Sequence, residues 1–406
     1  MRFYVLLTFF LATMLTACEA PKTELKPGIW RGVLHLQQQE LPFTFRVTND
    51  SGKYKAYLQN AGEEILLDEI SLEGDTVEMR LHIFDASLRA KVDGDKLTGT
   101  FVKYYAQQAN IPFTATFGET YRFTNSNEAP QVDFTGKYQL VFRSEKESYP
   151  SVGMFRQEGN HVTGSFLTPT GDYRYLEGSV IGDRLNLSTF DGNHAYLFIA
   201  KFEGDSLKGD YYSGKASHET WSGVKNEQAE MPDAESLTFL KPGYEKLEFS
   251  FPDLSGKKVS LADERYKDKV VIVQIFGTWC PNCMDETKFL VPWYRSNKDR
   301  GVEILGLAYE RKDDFHYAKD RIEKMKSKMN VPYDFVIAPG TNDKEKAAQT
   351  LPALNKVIAF PTTIFVGKDG KVKHIHTGFE GPGTGIYYER FQERFNQIVN
   401  ELLAEK

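Results

Sequence analysis

One short run constrains this chain more than any other. Val270 to Phe276 is apolar and largely β-branched apart from Gln274, the composition of a central strand covered on both faces. Gly277 and Thr278 break the run, and Pro281 stands where a first helical turn tolerates proline, because its missing N–H would have no helical partner there. A buried strand therefore turns straight into a helix, and Cys280 falls at that helix's N-terminus.

The placement has a chemical consequence. Unpaired N–H groups and the positive end of the helix dipole favour a thiolate over a thiol. Cys280 is therefore the expected nucleophile. Cys283, three residues on, returns to nearly the same helix face and can attack a mixed disulfide formed on Cys280. The two together can carry two electrons.

These residues resemble the thioredoxin superfamily. Phe360-Pro361-Thr362-Thr363-Ile364-Phe365-Val366, followed by Lys368-Asp369-Gly370-Lys371, is similar to that family's cis-proline segment and hairpin. Within the superfamily the chain resembles the TlpA/ResA-like thiol-disulfide oxidoreductases, whose usual opening is matched by Phe251-Pro252-Asp253-Leu254 through Leu261. The resemblance covers 244–406. It implies a cis Pro361 lying against the cysteine pair, Phe360 offering its backbone to an incoming peptide, and Trp279 and Phe360 as substrate-binding residues. It also implies a membrane-tethered reductase of protein disulfides, re-reduced by an upstream membrane electron donor, with no cofactor.

Two carboxylate questions follow. Gln274 stands where thioredoxin carries a buried, proton-handling aspartate, and a glutamine cannot titrate. Glu286, three residues past Cys283, matches a glutamate that the ResA-like group places beside its cysteines; partly buried, it would have a raised pKa and could exchange a proton with Cys283. It is the fourth expected catalytic residue, beside Cys280, Cys283 and Pro361. Glu310, at a strand end, reads as structural or as part of the substrate rim. His374 and His376 alternate on one strand and read as packing or hydrogen-bonding residues, so no metal site is expected. A thiol peroxidase shares the fold and is the alternative enzyme. Such enzymes carry threonine three residues before the reactive cysteine, where this chain has Gly277.

Beyond the first strand and helix, the pattern predicts strands at Val302–Ala308 and 335–338, helices over 313–329, 343–351 and 388–404, and a hairpin from Pro361 to His376. Strands alternating with helices and then a terminal hairpin and helix match a thioredoxin fold with an insertion.

The chain has 406 residues, too many for one small core. Residues 1–18 read as a processing signal: Arg2, an apolar run from Phe3 to Leu15, then Leu15-Thr16-Ala17-Cys18, which resembles a bacterial lipobox. Cys18 is the expected lipid-attachment residue, and lipidation would account for the odd one among three cysteines. The protein would then be anchored to a cell-envelope membrane, facing the periplasm or the outer surface, without spanning it. The formal charge of -6 is spread without long like-charge runs, so nucleic acid is not an expected partner.

After a tether over 19–27, residues 28–225 alternate in short stretches punctuated by Gly, Asn and Asp, the mark of antiparallel strands. Two similar units, about 28–123 and 134–225, are expected: Gly28-Ile29-Trp30 parallels Gly136-Lys137-Tyr138, and Gly94-Asp95-Lys96-Leu97 parallels Gly204-Asp205-Ser206-Leu207. The offset of roughly 110 residues predicts seven or eight strands in each, as a barrel or sandwich. The Gly-x-Trp start faintly resembles a lipocalin, with Tyr104, Tyr105, Tyr211 and Tyr212 able to line a cavity; aromatics at such positions are otherwise core or cross-strand pairs. A binding module with a secondary redox role is thus a further alternative. Residues 226–243 read as a linker. The expected architecture is multidomain: a duplicated all-β region, then an α/β thioredoxin-like domain over 244–406.

Overall fold

The computed structural model describes residues 23–126 and 128–405. Cys18 and the rest of the signal lie outside the described residues. No helix among the described residues is long and apolar enough to cross a membrane.

The N-terminal region is all-β, as expected, and forms two barrel-like sheets of nine strands each. In the first, Gly28–Leu36 pairs with both Gln39–Asp50 and Ile111–Phe117, and the remaining strands follow as a meander. In the second, Gly136–Arg143 pairs with Ser148–Glu158 and Ser217–Lys225, and Ser148–Glu158 also pairs with His161–Thr168, so this sheet closes on itself. The strand number exceeds the expected seven or eight because pieces as short as Ile70–Glu73 and Gly171–Asp172 leave no readable alternation. The backbone repeats between the units: Gly28 and Gly136 hold φ of 134° and 132°, open essentially only to glycine.

Both interiors are filled by side chains. Trp30, Phe43, Phe45 and Phe113 are wholly buried in the first. In the second, Tyr211 stacks on Phe198 at 4.5 Å, with Phe142, Phe166 and Trp221 around them. Tyr211 is thus core rather than the lining of a cavity. Tyr104 bonds Ser87 and Glu78, and Tyr212 stacks on His218. Phe190 of the second unit reaches the first core, 4.7 Å from Phe43 and 5.0 Å from Phe101, which fastens the two units together.

The C-terminal half is a five-stranded sheet in the order Asp334–Ile337, Val302–Ala308, Val270–Phe276, Thr362–Val366, Val372–Thr377. The first three strands run parallel and the last two antiparallel. Val270–Phe276 is central and entirely buried, as its composition requires. Four helices accompany the sheet: α1 (Pro281–Asn297), α2 (Phe315–Met329), α3 (Lys344–Thr350) and α4 (Ile386–Ala404). Helices α1 and α4 pack through Phe289 and Trp293 against Phe391 and Phe395. Pro292 lies within α1, which runs on unbroken. The polar stretch before Tyr244 lies along this domain: the Phe239 N–H donates to Asn355 Oδ1 at 2.9 Å and the Lys241 N–H to the Ala353 carbonyl at 2.8 Å.

Candidate active site

Cys280 caps α1, with backbone angles outside the helix, and its Sγ accepts from the Cys283 N–H at 3.2 Å. That is the thiolate-favouring position argued from the proline. The two sulfurs are joined as a disulfide, with 5.2 Å between the Cα atoms. Cys280 keeps 5% exposure and Cys283 none. The difference fits an attacking sulfur and a resolving one.

The Phe360–Pro361 peptide bond is cis. It places the Phe360 carbonyl oxygen 3.2 Å from Cys280 Sγ. Trp279 meets Phe360 edge-on at 5.4 Å and donates its indole N–H to the Tyr309 carbonyl at 2.8 Å. Cys280, Cys283, Trp279, Phe360 and Pro361 therefore converge, with Glu286 beneath them.

Glu286 is fully buried. One carboxylate oxygen accepts from Gln274 Nε2 at 2.7 Å, and the other accepts from the Thr363 hydroxyl. Gln274 and Thr363 are cross-strand neighbours, so Glu286 pins α1 to the centre of the sheet. Burial pushes its carboxyl up to about 7 despite these donors. The link to the resolving cysteine is indirect: Gln274 Nε2 lies 3.5 Å from the Cys283 carbonyl oxygen, and the Thr287 hydroxyl donates to that same oxygen at 2.8 Å. The glutamine that replaces the usual acid is thus the partner of the acid that remains.

Glu310 is also buried and raised to about 7 by burial. It accepts from the Thr278 N–H at 2.8 Å and hydroxyl at 2.9 Å, fixing the turn ahead of Cys280. His374 and His376 bond Glu235 and Glu380. Among the described residues no group of His, Cys, Asp and Glu is arranged to hold a metal.

Sequence reasoning missed the contribution of the β region. Asn282, between the two cysteines, donates to the side chain of Asp172 in the second barrel at 2.7 Å. Asp285, on the next turn of α1, receives two bonds from Arg174, at 2.7 and 3.1 Å. Arg174 also reaches Asp191 at 3.0 Å and Glu63 of the first sheet at 2.6 Å. Arg311 lies over Tyr105 at 3.8 Å and Trp279 at 5.0 Å, so the first sheet touches the rim as well. A cleft of about 870 Å³ separates the second barrel, at Tyr149, Thr170 and Tyr173, from Ala348, Val357 and Ile358 on the approach to Phe360. Only the alternation of short strands surrounds these barrel residues in the sequence, and nothing local marks them.

A capped, proline-flanked dithiol beside a cis-proline strand defines a thioredoxin-fold thiol-disulfide oxidoreductase. Residues 242–375 match the AhpC/TSA family. A thiol-disulfide oxidoreductase ResA from Bacillus thuringiensis is 32% identical over 33% of this chain and 68% of its own length. A ResA from Geobacillus kaustophilus is likewise 32% identical, over 32% of this chain and 66% of its own. A thiol:disulfide interchange protein of the thioredoxin family from Chlorobium tepidum aligns at 20% identity with a TM-score of 0.30, over 43% of this chain and all of that one. Through its C-terminal half the chain belongs to the ResA family of thiol-disulfide oxidoreductases.

Proposed function

We propose that this protein is an envelope-anchored reductase of protein disulfides, working through Cys280 and Cys283. The observation that carries the reading is the unequal setting of the two sulfurs, one capping α1 with a trace of exposure and one wholly buried behind it. The Cys280 thiolate attacks the target disulfide, forming a mixed disulfide and releasing one substrate thiolate. The Cys283 thiolate then attacks Cys280 Sγ, releasing the second substrate thiolate and leaving the internal disulfide. Two electrons have passed to the substrate, and a membrane-borne dithiol donor restores the pair.

Trp279 and Phe360 pack edge-on beside the attacked sulfur, whose Sγ lies 3.2 Å from the Phe360 carbonyl oxygen. Glu286, with its carboxyl near neutrality, is suited to take up the proton that Cys283 must lose before it attacks. The lipobox-like Leu15-Thr16-Ala17-Cys18 supports lipid attachment at Cys18, which would hold the protein at an envelope membrane outside the cytoplasm. Reduction there, rather than oxidation, is the activity of tethered proteins of the ResA-like kind.

The test is trapping. Cys283→Ala should accumulate mixed disulfides through Cys280, whereas Cys280→Ala should accumulate few. Equal trapping by the two variants would overturn the assignment of roles.

A further inference from the structure

The turn of the second barrel around Gly171–Arg174 inserts a carboxylate into the redox motif. Asp172 Oδ1 accepts from Asn282 Nδ2 at 2.7 Å and from the Arg174 backbone N–H at 3.2 Å. Its Oδ2 accepts from the Gly381 N–H at 2.8 Å, in the loop after the last strand. The Asp172 carbonyl takes a further bond from Asn282 Nδ2, at 3.0 Å. One buried side chain thus ties the residue between the cysteines to the segment that follows the sheet. The fit is close: a Cβ on Gly378 would lie 2.9 Å from the Gly171 nitrogen, and one on Gly171 would lie 3.2 Å from Asn282 Nδ2.

The charges around this carboxylate are otherwise matched. Asp285 of α1 is paired with Arg174 and with Lys288 at 2.9 Å, and the remaining donors of Arg174 go to Asp191 and Glu63. Glu380, beside Gly381, is bonded to His376. Every donor to the Asp172 side chain is a neutral amide, so its negative charge, when present, has no bonded cation and only the nearby Arg174 charge to offset it.

We propose that Asp172 is a positioning residue of the dithiol, and that its charge opposes the thiolate-favouring field at the start of α1, so that the second barrel makes the Cys280/Cys283 pair more reducing. The physical steps are short. The helix terminus stabilises a Cys280 thiolate, and a like charge held on Asn282, two residues along the same turn, opposes it. A less stabilised thiolate makes the dithiol form less stable relative to the disulfide, which lowers the reduction potential. The inference rests on the thiol-disulfide exchange proposed above and adds what sets its direction.

The charge itself is pH-dependent. Burial, with Asp285 reinforcing it against Arg174 and the bonded amides, lifts the Asp172 carboxyl to about 7. Its effect on Cys280 should therefore be weak in mild acid and full above neutrality.

The test uses the full chain carrying Asp172→Asn, which keeps an acceptor oxygen for Asn282, removes the charge and gives up the bond from the Gly381 N–H. Two quantities are measured against pH: the rate of Cys280 alkylation, and the equilibrium of the cysteine pair with glutathione. At pH 8 the apparent Cys280 pKa should fall by about one unit, and the equilibrium should move about tenfold toward the dithiol, as one unit corresponds to a factor of ten. Near pH 5.5 the parent and the variant should converge. The parent alone supplies a second readout: its alkylation profile should carry an inflection near 7 that persists in Glu286→Gln and vanishes in Asp172→Asn. Unmoved equilibrium and reactivity across the range, or a parent profile without that inflection, would overturn the role of Asp172. If Cys280→Ser reduces a small disulfide as well as the parent, the exchange reading itself fails instead.

Discussion

The two β units hold the redox domain by different means. The first reaches α2 through Lys324 and Lys328, paired with Glu69 at 2.9 and 3.0 Å, and through Arg321, paired with Asp85 at 3.3 Å. Lys324, Lys328 and Glu69 keep between 22% and 41% of their side-chain surface exposed, and Arg321 and Asp85 keep 15% and 19%. The second unit reaches α1 through Arg174, which is 4% exposed and faces three carboxylates that are 8% exposed or less. An exposed pair trades water for a partner with little net gain. A buried cluster is held far more tightly in the sense that matters for a variant, because removing one member leaves the others charged and dry. The buried contact is also the one on the helix that carries the dithiol. The second barrel, joined in this cluster by Glu63 of the first, is therefore the unit whose docking the chemistry most depends on.

Arg174→Ala should show the largest effect. It leaves Glu63, Asp191 and Asp285 buried without their common cation, and a loss of about 3–5 kcal/mol is expected. Burial already outweighs the arginine at Glu63, whose carboxyl is raised, whereas Arg174 and Lys288 hold Asp285 below its usual range against burial. Removing Arg174 should raise the Asp285 carboxyl, so the variant should recover part of the loss on acidification. Denaturant midpoints at pH 5 and pH 8 measure this. A loss under about 1 kcal/mol would place the cluster with the surface pairs and erase the contrast.

This contrast was invisible in the sequence, for a physical reason. The dithiol was legible because its chemistry is fixed by local geometry, a cap and a helix repeat, whereas Pro361 and Glu286 stood out only through the family resemblance. Gln274 was legible as the loss of an acid, though its bond to Glu286 was not, since it depends on how α1 lies over the sheet. Asp172 and Arg174 meet Asn282 and Asp285 across 110 and 111 residues. In the sequence, Gly171-Asp172-Tyr173-Arg174 reads like any polar turn, and a buried charge there becomes apparent only when three units close around it. The short strands were missed on similar grounds, since two to four residues carry no period.

Glu286→Gln sharpens the comparison on α1 itself. Asp172 reaches α1 from the barrel side and is expected to shift an equilibrium; Glu286, on α1, faces the sheet and is expected to set a rate. The variant should slow release of the mixed disulfide ~10-fold to ~100-fold near neutral pH, at or just below the lower end of the range for a positioned acid or base. Its stability should move the other way. The parent carboxyl is raised to about 7, so the native state keeps its proton where the unfolded chain has lost it. That contribution falls as pH climbs from the unfolded value through about 7. Glu286→Gln should thus gain on the parent at pH 8, by up to about 3 kcal/mol at roughly 1.4 kcal/mol per unit, and lose that advantage in acid. Gln274 Oε1, buried without a partner, can accept from the new amide if the Gln274 amide turns over. Superimposable pH–rate profiles would leave Glu286 as a packing residue only.

The smallest effect is expected from Lys324→Ala combined with Lys328→Ala. Each lysine gives up a partly exposed pair with Glu69, and Lys328 also loses Asp68. These carboxyls are held below their usual range by the lysines despite partial burial, so the attraction is real, but water and salt replace much of it once the cation is gone. The double variant should lose no more than about 1 kcal/mol in low salt, with the difference shrinking as ionic strength rises. Reduction of a protein disulfide should be unchanged, because α2 carries neither a cysteine nor a bond to α1's first turn. Denaturant midpoints of parent and variant at low and high salt, together with turnover, decide it. A loss as large as that of Arg174→Ala, or a fall in turnover at constant stability, would mean that the first unit's grip also reaches the dithiol, and the two interfaces would have to be treated as one.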